Sequence, residues 1–185
     1  MSNPPIIPVP DQNPKQSKIS HYFRSIERGS VLVCSSLNRV ILQHPRGNLE
    51  TVYPKILLFF ALKKWISERR YKEAYVEIRR HKLDMNLLVD IDQHKFVDYL
   101  SSGDFCRDFR KIDFVNLVIE GLQPGIAEDL KFVLSESEIG DRNKYILEQW
   151  SGNKVDYLCD AMRSAMNVEK EYYMLCIIMT YAKKT

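Results

Sequence analysis

The stretch Val40–Asp92, VILQHPRGNLETVYPKILLFFALKKWISERRYKEAYVEIRRHKLDMNLLVDID, carries the chain out of a β-sheet and into helices within a few residues. Two β-type runs, Val40–Gln43 and Leu49–Tyr53, flank Pro45-Arg46-Gly47-Asn48. The proline and glycine suit a tight turn, with Gly47 inside it and Arg46 and Asn48 pointing outward. Pro54 then opens a helix at the position where its missing N–H costs nothing. Working back from the turn, Val31–Cys34 and Arg39–Gln43 read, with Leu49–Tyr53, as three short antiparallel strands. So small a sheet is marginal alone and exposes an edge.

From Pro54 onward the apolar residues recur at helical spacing. Ile56–Leu62 is apolar all round, with Trp65 and Ile66 beyond, which predicts a helix covered on several sides. Tyr71, Ala74, Tyr75 and Ile78 form one stripe and turn Lys72, Glu73, Arg79 and Arg80 away from it. Met85, Leu88 and Val89 mark a short third helix, and Asp92 caps a fourth that carries Phe96, Val97 and Leu100. Asp104 and Asp113 are read as caps of the next two. A break at Gly121–Gly125 precedes a helix marked by Ile126, Leu130, Val133 and Leu134. Glu136–Gly152 is the least regular stretch. Val155, Leu158, Cys159, Met162 and Met166 form a further stripe, and a last helix, about Glu169–Lys184, is apolar round most of its circumference. The predicted fold class is mainly α, an irregular α-solenoid of helical hairpins with a small antiparallel β-element near the N-terminus. A solenoid end normally carries a polar cap, so Leu175, Ile177, Ile178 and Met179 call for a cover from the fold itself or from a continuation.

Composition agrees with this class: of the 185 residues, 45% are hydrophobic and 28% charged. Met1 to about Lys18 holds five prolines and few large apolar residues, which predicts a disordered or extended tail. The expected organisation is therefore 1–18 tail, 19–53 β-element and 54–185 helical segment. No apolar run reaches the roughly 18 residues of a membrane span. The first residues lack the basic and apolar regions of a secretory signal, and no Asn-x-Ser/Thr sequon occurs. Cys34, Cys106, Cys159 and Cys176 show no metal-ligand spacing and read as free core thiols of a reducing compartment.

The net charge of +3 is unevenly spread. Lys55–Lys82 holds nine basic and three acidic residues, a local +6, and the rest of the chain carries −3. Lys63, Lys64, Arg69, Arg70, Arg79 and Arg80 form the candidate partner-binding surface. With Trp65, Tyr71 and Tyr75 nearby it has the residue types of a phosphate-tracking surface with stacking aromatics. Those aromatics fall on the apolar stripe, however, and the charges suit an acidic protein surface equally well. Docking of protein is the favoured reading and RNA the alternative. No phosphate loop, nucleophile elbow or H-E-x-x-H motif is present, and neither catalytic, metal nor cofactor-binding residues are assigned. Asp90, Asp92 and His94 are three ligand types in five residues, read here as an inter-helix turn with Asp92 as cap.

Several of these stretches resemble one known family. LQHPRGNLETVYP followed by a helix, then KEAYVEIRRHKLDMNLLVD, resembles the largest-subunit family of the Elongator complex, Elongator complex protein 1. IERGSVLVC (Ile26–Cys34), NKVDYLCDAMRSAM (Asn153–Met166) and the terminal AKKT add to the likeness, which runs from about Arg24 to Thr185. The resemblance implies a slice at the junction where a β-propeller meets a helical solenoid, here without the propeller. It implies a non-catalytic scaffold role, with a second propeller subunit and a catalytic acetyltransferase-like subunit as partners. It also implies a cytoplasmic setting with a nuclear pool, and an indirect association with transfer RNA whose wobble uridine the complex modifies. The family's RNA-binding segment lies outside this slice, so no RNA-binding residue carries over. A free-standing helical adaptor or RNA-binding module using 63–82 stands as the other reading.

Overall fold

A computed structural model describes residues 25–132, 139–141, 143, 144, 148, 150 and 152–184. The tail 1–18, Val133, Leu134 and much of Glu136–Gly152 lie outside them. The chain forms two compact units, Met1–Leu57 and Leu58–Thr185.

The first unit is a three-stranded antiparallel sheet in the order β1 (Val31–Ser35), β2 (Val40–Gln43), β3 (Leu49–Val52). Between β2 and β3 the Gly47 N–H donates to the His44 carbonyl (2.8 Å) and the His44 N–H to the Asn48 carbonyl (2.9 Å). Gly47 has φ +84°, the left-handed position that a turn followed by a bulge requires. Arg46 and Asn48 are exposed, as the sequence predicts. The β1–β2 register shifts between Leu32 and Cys34, so a bulge interrupts the pairing. Val31, Leu32, Val33 and Leu49 are all more than half exposed, and Leu42 is buried. Cys34 is exposed rather than core, because this small sheet leaves β1 uncovered within the described residues.

Helices follow: α1 (Lys55–Ser67), α2 (Tyr71–Arg80), α3 (Leu87–Asp90), α4 (Gln93–Ser101), α5 (Asp104–Asp108) and α6 (Ile112–Gly121). A 3₁₀ turn spans Glu128–Phe132, and α7 (Lys154–Met166), a 3₁₀ turn Asn167–Glu169 and α8 (Met174–Lys183) close the chain. The predicted stripes are core: Tyr71, Ala74, Tyr75 and Ile78 on α2 are fully buried, as are Leu158, Cys159, Met162 and Met166 on α7. Aromatic packing knits the middle together, with Tyr71 stacked on Tyr99 (4.1 Å between ring centres) and Phe105 on Phe109 (5.3 Å). α8 packs on α6 and α7, and α4 on α7, so the helices bury one another in a single continuous core. This mainly helical architecture with a small sheet ahead of it is the predicted fold class.

Local expectations change in four places. α1 is not covered on several sides: Ile56 and Phe60 remain 49% and 56% exposed. Asp92 does cap α4, its Oδ1 accepting from the Lys95 N–H at 3.1 Å. Asp104 and Asp113, by contrast, sit inside the first turns of α5 and α6, where a carboxylate favours the helix dipole without capping. Instead of a helix at Ile126–Leu134, the described residues form the 3₁₀ turn, with Ile126 and Leu130 buried. The last helix starts at Met174, since 167–173 winds through a 3₁₀ segment and turns.

Candidate partner-binding surface

The basic hairpin is built by α1 and α2, and the ends of both helices share one unusual feature. The Arg70 N–H bonds the Trp65 carbonyl (2.8 Å) and the Arg69 N–H the Ile66 carbonyl (3.1 Å). The same pair recurs one helix later, with Leu83 to Ile78 (2.9 Å) and Lys82 to Arg79 (3.2 Å). Both are Schellman endings, whose pivotal residue adopts the left-handed conformation and is usually glycine. Here the pivots are Arg69 (φ +59°) and Lys82 (φ +52°). A side chain in that conformation costs roughly 1–2 kcal/mol. Cations beside the helix C-termini offset part of the cost through the dipole.

All six predicted surface residues, Lys63, Lys64, Arg69, Arg70, Arg79 and Arg80, are exposed. Two of them are already engaged. Arg70 pairs with Glu73 (3.0 Å) and Glu68 (3.6 Å), and Arg80 with Glu77. Among the described residues no carboxylate lies within ion-pair distance of Lys63, Lys64, Arg69, Lys72, Arg79 or Lys82. The uncommitted charge therefore sits at the two helix ends and on the outer face of α2. Tyr71 and Tyr75 are core residues, and Trp65 is half-buried against the same core, so stacking platforms do not accompany the charges.

Other chemistry-bearing groups serve the fold. Asp90 and Lys154 are both fully buried and pair at 2.7 Å. Asp90 Oδ2 also accepts from the Ala127 N–H (2.8 Å), and Lys154 Nζ donates to the Gly125 carbonyl (2.8 Å) and to Asn86 Oδ1 (3.3 Å). Asn86 Oδ1 takes the Gln123 N–H as well, at 3.0 Å. This node fastens α3, the turn after α6 and the start of α7. Burial pushes the Asp90 carboxyl up and the Lys154 ammonium down from their usual ranges, and each opposite charge counters the shift. Of the three ligand types read in sequence, Asp90 is thus bound to Lys154, Asp92 is a cap and His94 is exposed. In the sheet, His44 bridges Ser30 (3.0 Å) and Glu50 (2.9 Å). The residue types suit a nucleophilic triad, but the Ser30 hydroxyl donates to the Glu27 carbonyl at 2.7 Å and is not poised on the imidazole. Among the described residues no group of His, Cys, Asp and Glu could hold a metal, and no helix is long and apolar enough to cross a membrane.

Sequence reasoning missed the buried pair and the two left-handed pivots. A lone carboxylate within Leu87-Leu-Val-Asp-Ile signals a buried partner. Nothing in the sequence points to Lys154, which lies far along the chain.

Short helices sharing one core, with charge on outer faces and the polar interior used for fastening, define an irregular α-solenoid. A family model described as ELP1 alpha-solenoid matches residues 55–185, and the chain belongs to the Elongator complex protein 1 family. Elongator complex protein 1 of Saccharomyces cerevisiae is 33% identical over 183 residues, covering 87% of this chain and 13% of that protein. Its namesake in Mus musculus is 30% identical over 166 residues (88% and 12%), and that of Arabidopsis thaliana 30% over 171 (88% and 13%). The chain thus spans about an eighth of the length of these relatives.

Proposed function

We propose that this chain is a non-catalytic scaffold segment of an Elongator complex, supporting wobble-uridine modification of transfer RNA through subunit assembly. The match of the helical body to the family's solenoid carries the reading. The side chains support it: buried polar groups fasten helices, and the uncommitted groups are surface cations and apolar faces suited to docking. The partners are the other Elongator subunits, engaged by burial and charge complementarity at Lys63, Lys64, Arg69, Arg70, Arg79 and Arg80. The three spans 1–18, 19–53 and 54–185 act as tail, propeller-end element and solenoid segment. A cytoplasmic setting with a nuclear pool goes with the reading.

The direct test replaces the aligned segment of the yeast Elongator complex protein 1 with this chain. Co-purification of the other subunits and mass spectrometry of wobble uridines in transfer RNA are then measured. Assembly and modification are expected, with charge reversal at the six cations weakening co-purification. A chimera that accumulates in folded form but recruits no subunit overturns the proposal. Salt-sensitive transfer-RNA binding by the chain alone, abolished by the same reversal, would favour the RNA-binding module instead.

A further inference from the structure

The outer face of α2 carries Lys72, Val76, Arg79 and Arg80 at the spacing of one helical stripe, beside the buried tyrosines. Beside it α6 brings Phe114, with Lys111 one residue ahead of the helix. Tyr75, Val76, Arg79, Arg80 and Phe114 line an open depression of about 360 Å³. The Arg79 guanidinium lies 5.9 Å from the Tyr75 ring centre and 5.8 Å from that of Phe114, and Lys111 Nζ lies 5.4 Å from Phe114. Val76 is 40% exposed at this floor. Arg80 is held by Glu77, whereas Arg79 and Lys111 meet no carboxylate at ion-pair distance among the described residues. Burial raises the Tyr75 phenol above its ordinary range, with Arg79 countering the shift and Asp113 adding to it.

We propose that this depression docks an acidic protein segment carrying an apolar side chain, the apolar group seated on Val76 and Phe114 and its flanking carboxylates on Arg79 and Lys111. The inference rests on the scaffold reading and names the chemistry of one partner. Charge complementarity argues for it: two uncommitted cations border an apolar floor. A guanidinium laid over aromatic rings is held in orientation while its in-plane donors stay free for a carboxylate fork. Nucleic acid fits less well. Base stacking needs an open aromatic face. Arg79 already lies over both rings and Lys111 over Phe114, so neither aromatic face is open for a base to stack on.

The test uses the full chain and fluorescence anisotropy at about 50 mM salt, low enough to keep surface attraction unscreened. The probes are a labelled peptide of alternating aspartate and leucine, an oligo-glutamate of equal charge and a uridine-rich single-stranded RNA. The aspartate–leucine peptide should bind about ten-fold tighter than oligo-glutamate, and Val76→Asp and Arg79→Glu should each weaken it about ten-fold. Arg79→Lys should fall between, and circular dichroism checks that each variant is folded. Equal binding of the two peptides, tighter binding of the RNA, or no loss in either folded variant overturns the proposal. A yeast chimera that assembles normally while the peptide fails to bind removes this docking site and leaves the scaffold reading standing.

Discussion

Asp90 and Lys154 show how one contact can decide a region's stability. Both are fully buried, so removing one partner leaves a charge without water or counter-ion. Asp90→Ala or Lys154→Ala should each cost about 3–5 kcal/mol. Asp90→Leu combined with Lys154→Met should recover much of that, and urea denaturation of the three variants measures both effects. Gly121 is a second such position. A Cβ built there would lie 2.5 Å from the Met85 Cβ, closer than real carbons approach. Gly121→Ala should therefore destabilise by about 1–3 kcal/mol through overpacking, read as a lowered urea midpoint. At Arg69 the sign reverses. Its left-handed backbone suits glycine, so Arg69→Gly should stabilise the chain by about 1 kcal/mol while weakening co-purification of Elongator subunits. Unchanged stability would show that strain at the pivot is negligible.

Among the elements, α2 and α7 were legible because each buries one continuous stripe, and such a stripe writes a clear 3.6-residue period. α1 and α8 were not, since an apolar circumference does not say which side is covered. In α8 only Cys176 and Thr180 are buried, and Ile177 and Met179 pack part-way on the core. Leu175, Ile178 and Tyr181 stay 54%, 55% and 60% exposed along one stripe. An uncovered apolar stripe drives association. The chain alone should self-associate in sedimentation at high concentration, and Leu175→Glu with Ile178→Lys should shift it toward monomer. β1 offers a different check. Cys34 is exposed on that strand, whereas burial holds the thiols of Cys106, Cys159 and Cys176 above their ordinary range. Iodoacetamide at neutral pH should modify Cys34 first, with the other three reacting only after denaturation, counted by intact mass.

At the scale of the whole molecule, the aromatic core ties stability to alkaline pH. Burial raises the phenol pKa of Tyr71, Tyr99 and Tyr173 well above the ordinary value, and for Tyr99 the adjacent Asp108 carboxylate adds to the shift. Each folded pKa exceeds the unfolded one, so the contribution is full below about pH 10. Above that the unfolded chain gives up protons the folded chain retains, and stability falls. Loss of helical circular dichroism should coincide with a late rise in tyrosinate absorbance near 295 nm. Smooth ionisation of every tyrosine ahead of any helix loss would show that these phenols are not locked in the core.

The sequence by itself determined the turn at Gly47, the stripes that became core, the basic hairpin and the family, because these rest on local periodicity, turn chemistry and long specific runs of residues. Tertiary structure alone decided which cations remain uncommitted, which side of α1 and α8 stays bare, and that Asp90 answers Lys154. Those outcomes depend on which distant groups the helices bring within a few ångströms, and no period along a chain encodes a contact between residues this far apart.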